Sequence, residues 1–208
     1  NKPEGLITLK RLAMANMDSL DPHAVSNACT PIANIVETLH GTLITGDHDM
    51  ILDQGKIVIA AGSPEAMENM VDPGDIVLVA NRYEAQLCAI ELEAACLVVC
   101  MTPKIAKTII KIAKEHNCTV ISTPYDTYAA SCLINQSIPI RHPMAKAMIS
   151  FQLDTPIEEA KKIMGRVRHN YFPVMDKQGY YQGVISRRNL LNLQRKQLIL
   201  VDHNEKTQ

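Results

Sequence analysis

The chain has 208 residues, is 47% hydrophobic, and carries two Phe, six Tyr and no Trp, so it supports packed cores in one to three domains but no nucleic-acid surface built on stacked aromatic rings. No uncharged apolar run is as long as a membrane helix and no apolar signal segment opens the chain, so a soluble, cytoplasmic protein away from any membrane is expected. Net charge is −1, yet residues 26–140 hold six Lys/Arg against thirteen Asp/Glu while residues 141–208 hold twelve against six, which gives the C-terminal segment the sign expected for an anionic ligand.

Residues 1–25 read as one strand, Glu4–Thr8, running into a helix, Leu9–Met17, that ends near Asp21-Pro22. Its apolar positions Leu6, Leu9, Leu12, Ala13 and Met17 exceed what one strand and one helix bury. A helix is predicted over Pro31–Leu39 with Pro at its first turn, stopped by His40-Gly41. Strands follow at Thr42–Thr45 and Ile57–Ala61. Helices Pro64–Val71, Tyr83–Glu93, Pro103–His116 and Thr127–Asn135 then alternate with strands Ile76–Ala80, Cys96–Met101 and Thr119–Ser122. Strands apolar on both faces belong to a parallel sheet covered by helices. Six cysteines (Cys29, Cys88, Cys96, Cys100, Cys118, Cys132) form no CxxC and read as reduced, mostly buried thiols. In the last segment, strands at Ile149–Leu153, Tyr171–Val174 and Tyr181–Ser186 frame a helix from Asp154-Thr155-Pro156, with Thr155 as cap and Pro156 at its first position. Lys177-Gln178-Gly179 is a turn.

The segment Gly183-Val184-Ile185-Ser186-Arg187-Arg188-Asn189 carries the most chemical information. It places a hydroxyl and two guanidiniums at the start of a helix, where backbone N–H groups attract anions. The same grammar opens the chain in Gly5-Leu6-Ile7-Thr8-Leu9-Lys10-Arg11. Other candidates reduce to local structure. Asp47-His48-Asp49 reads as a polar turn, and Asp126 as the cap of the helix that follows it. Asp202-His203-Asn204-Glu205 is a plausible metal corner, but the seven histidines form no His-x-His or HExxH pair. No P-loop or GxGxxG occurs.

Residues 148–193 resemble a CBS module, the cystathionine-β-synthase type of adenine-nucleotide sensor. The matching stretches are Ile149-Ser150-Phe151, Asp154 to Ala160, Asn170 to Asp176 and Gly183 to Asn189. Residues 4–17 look like the closing strand and helix of a first such module. The middle segment resembles a DRTGG domain through Asn81-Arg82-Tyr83-Glu84-Ala85-Gln86, Cys96-Leu97-Val98-Val99 and Thr123-Pro124-Tyr125-Asp126-Thr127, without the five-letter string itself. The order CBS, DRTGG, CBS, then Val201-Asp202-His203-Asn204-Glu205, is similar to the regulatory insert of family II, manganese-dependent inorganic pyrophosphatases. The implied fold is α/β: CBS-type modules, the first partial, flanking a DRTGG-type domain with a mostly parallel sheet. The implied domains are residues 1–25, 26–140 and 141–197, with 198–208 resuming the catalytic domain.

The resemblance implies adenine-nucleotide binding, with AMP and ADP inhibiting and ATP or diadenosine polyphosphates activating. Ribose falls to Ser186 and Asn189, and in the first copy to Thr8, where Arg11 replaces the acidic or amide partner. The base slot falls to Met148, Ile149, Asn170, Tyr171 and Pro173, with Tyr171 either stacking on the base or simply packing. Phosphate falls to Lys2, Arg187, Arg188, Arg168 and His169, Arg being suited to bidentate contacts. The chain alone is expected to bind without catalysing. Asp202 would ligate Mn²⁺ or Co²⁺ only in the full-length enzyme, and the expected protein partners are its own catalytic domain and a second copy in a homodimer. A structural dimerisation insert and a truncated metal-dependent hydrolase are the alternatives; the paired His of the pyrophosphatase family are missing, which weighs against the second.

Overall fold

A computed structural model describes residues 2–17 and 21–189, and the chain divides into a larger unit, residues 8–143, and a smaller one, residues 1–7 with those from Met144 onward. In the larger unit, helix α1 spans Leu9–Met17, as its spacing predicts. Helix α2 (Ala24–Asn27), strand β1 (Thr30–Pro31), helix α3 (Ile32–Thr38), and strands β2 (Thr42–Thr45) and β3 (Ile51–Leu52) follow. Then come β4 (Ile57–Ile59), α4 (Pro64–Glu68), β5 (Ile76–Val79), α5 (Tyr83–Glu91), β6 (Cys96–Cys100), α6 (Lys107–Glu115), β7 (Thr119–Thr123) and α7 (Thr127–Leu133), which runs into a 3₁₀ turn, Ile134–Ser137.

The five-stranded sheet has the order β2-β7-β6-β5-β4, parallel from β4 to β7 with β2 antiparallel at the edge. Each strand from β4 to β7 pairs with the next in sequence. Right-handed crossovers of one sense therefore deliver α4, α5 and α6 to a single face. Alternating side chains feed two cores. Val77, Val79, Leu97, Val99 and Val120 join Met67, Ala89 and Ile109 under α4–α6. Ile76, Leu78, Val98 and Ile121 meet Ile32, Ile35, Leu39 and Ile134 on the opposite face. This double burial explains why β5, β6 and β7 are buried at every position. Each fully buried Val, Leu or Ile contributes about 1.5–3 kcal/mol.

Three of the six free cysteines, Cys96, Cys100 and Cys118, are buried, whereas Cys29 and Cys132 are exposed and Cys88 is half-buried. Burial pushes the Cys100 thiol up to about 11 and the Cys118 thiol to about 12, so neither is a nucleophile near neutrality.

In the smaller unit, β8 (Phe151–Gln152), α8 (Ile157–Arg166), β9 (Tyr171–Met175) and β10 (Tyr181–Ser186) form a sheet of order β10-β9-β8 with one helix. Strand β8 runs parallel and β10 antiparallel to β9. Phe151, Ala160, Met164 and Phe172 make the core, with the two Phe rings 5.4 Å apart.

Several sequence expectations change. The strand expected over Glu4–Thr8 is one antiparallel bridge, Leu6 with Ala145, closed by bonds of 3.0 and 2.9 Å. Gly5 has to be glycine there, because a Cβ would sit 2.6 Å from the Ala145 carbonyl oxygen. Pro31 precedes α3 and pairs in β1 rather than occupying the first helical position. Likewise Pro156 keeps an extended backbone (ψ 141°), so α8 starts at Ile157 and Thr155 does not cap it. The Thr155 hydroxyl accepts instead from Gln152 N at 2.9 Å. Helix α6 begins at Lys107, not Pro103, because the Thr102 hydroxyl bonds Lys104 N (3.2 Å) and the Lys104 carbonyl (2.9 Å) in a turn of its own. Asp126 caps α7 as expected, accepting from Ala129 N at 2.7 Å. Asp47-His48-Asp49 is a turn, with Asp49 N donating to the Asp47 carboxylate at 3.0 Å.

Candidate ligand site of the smaller unit

The site is built around the β9–β10 pair. Antiparallel register sets Ser186 opposite Tyr171, Ile185 opposite Phe172 and Val184 opposite Pro173. Ile185 packs on the core while Tyr171 and Val184 stay 53% and 54% exposed, so the outer face of the hairpin offers an aromatic ring and an aliphatic side chain to solvent. Residues 187–189 are helical, so Ser186 stands where strand becomes helix.

Ser186 and Asn189 hold each other there. Asn189 N donates to Ser186 Oγ at 3.3 Å, Ser186 N donates to Asn189 Oδ1 at 3.0 Å, and the Ser186 hydroxyl donates to the same oxygen. This is a reciprocal capping box with Asn in the usual Glu/Gln place. The hydroxyl and amide expected to meet ribose are thus held side by side at a helix start. The earlier motif begins the same way, Arg11 N donating to Thr8 Oγ1 at 3.4 Å, but the Arg11 side chain donates to the Pro143 carbonyl at 3.2 Å. Thr8 belongs to the larger unit.

The two arginines have separate roles. Arg187 Nε donates to the His169 carbonyl at 2.9 Å, its Nη2 donates to the Val167 carbonyl, and its backbone N–H bonds the Asn170 carbonyl at 3.3 Å. It therefore clamps the loop between α8 and β9 through its backbone carbonyls. Arg188 and Arg168 are exposed and have no hydrogen-bond or ion-pair partner among the described residues. The clamped loop carries Arg168 and His169, and the His169 ring meets Phe172 edge-on at 6.3 Å.

The other expected residues divide between slot and core. Ile149 packs against the Phe151–Phe172 cluster and Pro173 is buried in β9, whereas Met148 is half-buried. Lys2 is exposed, with Nζ 5.8 Å from the Tyr180 ring centroid. Asp202 lies outside the described residues, as does the helix expected from Leu190. Among the described residues no three His, Cys, Asp or Glu side chains converge as metal ligands, and no helix is long and apolar enough to cross a membrane.

Residues 34–137 match the DRTGG domain and residues 138–196 the CBS domain. The chain belongs to the CBS–DRTGG family of regulatory regions represented by that of the Clostridium perfringens pyrophosphatase. The crystal structure of the CBS and DRTGG domains of that region, complexed with its activator diadenosine tetraphosphate, superposes with a TM-score of 0.83 at 31% identity, covering 90% of this chain and 82% of that one. Among curated proteins, the cobalt-dependent inorganic pyrophosphatase of Clostridium perfringens is 33% identical over 98% of the chain. The probable manganese-dependent inorganic pyrophosphatase of Thermotoga maritima is 29% identical over 98%. The chain spans 37% of the length of each of these relatives.

Proposed function

We propose that the chain is the adenine-nucleotide-sensing region of an inorganic pyrophosphatase, binding nucleotide on the outer face of β9–β10. The observation that carries this reading is the likeness, over nine-tenths of the chain, to a regulatory region solved with diadenosine tetraphosphate. The smaller unit supports it with the Ser186–Asn189 pair for ribose and Tyr171 beside it for the base. Arg188, Arg168, His169 and Lys2 supply phosphate contacts, and Met148 borders the base. Arg187, with the backbone of Asn170, holds the loop that presents them. AMP and ADP inhibit the attached enzyme, and ATP or diadenosine polyphosphates activate it. In the full-length enzyme Asp202 contributes to a Mn²⁺ or Co²⁺ centre. The regulatory region works as a homodimer: in the smaller unit Leu153 and Ile157 are 65% and 54% exposed, apolar surface that a two-fold mate would cover.

Calorimetric titration with AMP, ATP and diadenosine tetraphosphate tests the reading. Saturable heats at micromolar to sub-millimolar Kd, about −5 to −8 kcal/mol, are expected. No heat from any of the three up to about 1 mM, where even weak binding registers, would leave the chain a structural insert.

A further inference from the structure

The larger unit contains a cleft of about 420 Å³ that the nucleotide reading does not use. It lies at the carboxyl ends of β6 and β7, the end of parallel strands where α/β sheets take their ligands. Its volume falls in the range of small-molecule sites.

The polar groups of the cleft are of two kinds. The Thr102 and Thr123 hydroxyls are spent on the fold: Thr102 in the Lys104 turn, and Thr123 donating to the buried Leu39 carbonyl at 2.7 Å. Ser122 and Thr42, opposite one another in the β2–β7 ladder, differ. Cross-strand partners share a sheet face, which sets these two hydroxyls side by side. Ser122 is only 5% exposed, yet its hydroxyl has no hydrogen-bond partner among the described residues, and neither has that of Thr42. Ser122 Oγ is not sealed in the core, so both hydroxyls open onto the cleft, where an incoming partner can bond them. His40 adds an imidazole at the same rim.

The apolar part of the lining is Met101, Pro103 and Pro124. Met101 has φ +59°, left-handed backbone that residues other than glycine adopt at a cost, whereas the φ +45° of His40 closes helix α3. The Met101 N–H is fixed in that state by the Thr123 and Tyr125 carbonyls, at 2.9 and 3.0 Å, and the residue is 68% exposed at the cleft mouth. Thioether and proline surfaces suit the face of a planar ring. Among the described residues no Lys, Arg, Asp or Glu lines the cleft, so a charged ligand would lose its hydration with nothing of opposite sign to replace it.

We propose that this cleft is a second ligand site, for an uncharged, nucleoside-sized molecule whose planar ring lies against Met101 and the two prolines. Its polar edge hydrogen-bonds Ser122, Thr42 and His40. The site is separate from the nucleotide site, since every lining residue belongs to the larger unit.

The test uses the chain with ¹³C-methyl methionines, titrated separately with adenosine, uridine and nicotinamide to about 5 mM, enough to register weak binding. Met101 reports on the cleft and Met148 on the smaller unit. At least one probe should shift the Met101 methyl saturably, and Ser122→Ala should weaken that binding five- to tenfold, the effect of one lost hydrogen bond. The Ser122 hydroxyl bonds nothing among the described residues, so the variant should keep its other methionine signals in place. A Met101 methyl unmoved by all three probes overturns the proposal. So does a probe that moves only Met148, or a Met101 shift whose midpoint is the same in Ser122→Ala.

Discussion

Two glycines in the β9–β10 hairpin look alike in the sequence but differ in what the fold demands. Gly179 has φ +83° in the turn, and that turn is tied by Asp176, whose carboxylate accepts from Gln178 N at 3.0 Å, Tyr180 N at 2.9 Å and the Gln182 side chain at 2.9 Å. Gly183 has no positive φ, and a Cβ there would meet nothing within 4 Å. Gly179→Ala should therefore cost about 1–2 kcal/mol in urea unfolding, the penalty of left-handed backbone. Gly183→Ala should be neutral or gain up to about 1 kcal/mol through the unfolded chain. A reversed order would show that the turn is not what closes the hairpin. Asp176 also predicts an acid limb. The Tyr180 N–H, followed by Gln182 and the other turn amides, holds its carboxyl below the usual carboxylate range. A depressed folded pKa contributes stability that is fully present above the unfolded value, near 4, and lost as pH falls through the folded value. Urea midpoints taken between about pH 5 and pH 2 should fall less steeply in Asp176→Asn than in the parent chain.

At the scale of elements, the strand-to-helix junction at Ser186 separates adjacent arginines into a clamp and a proposed phosphate contact. Arg188→Ala removes a cation that bonds nothing else among the described residues, so nucleotide affinity should drop by roughly 1.5–3 kcal/mol, the scale of a charged hydrogen bond, with little change in melting temperature. Arg187→Ala should lower both, because the α8–β9 loop loses its hold on Nε and Nη2. Equal melting losses in the two variants would dissolve the distinction. The sequence marks the pair but not which arginine clamps the loop, since the partners of Arg187 are backbone carbonyls and any sequence supplies those. Elements with period or length were legible: the apolar runs of β5, β6 and β7, and the helix of Leu9–Met17. Strands β1 and β3, two residues each, are not legible, because a pair of residues has no alternation to read. Their pairing is set by tertiary contact. The helix starts at Pro31, Pro103 and Pro156 were misplaced for one reason: proline permits a first helical turn but equally an extended entry, and local hydrogen bonds decide between them. The Ser186–Asn189 box was legible as a motif, whereas the unpaired hydroxyl of Ser122 was invisible until β2 was set beside β7.

At the scale of the molecule the two units differ in how much they bury. The larger unit has clusters of sixteen and thirteen buried residues on the two faces of its sheet, against four in the smaller unit among the described residues. Cooperative stability follows buried apolar area, so the smaller unit should be the first to open on heating. The proposed nucleotide site lies in this weaker unit, and a ligand that binds only the folded form adds RT ln(1 + [L]/Kd), about 2.7 kcal/mol at a hundredfold excess over Kd. Scanning calorimetry should then resolve two transitions, and AMP should raise the lower one while leaving the upper in place. Hydrogen exchange assigns them: amides of β9 and β10 should gain protection with AMP, while those of β5, β6 and β7 should stay as they were. Nicotinamide, if it fills the Ser122 cleft, should act on the upper transition instead. A single transition moved as a whole by AMP would mean that the two units melt as one cooperative body, and the site would then have to be located by exchange alone. Protection gained in β6 and β7 but not in β9 and β10 would move the nucleotide to the larger unit and remove Ser186 and Arg188 from its binding.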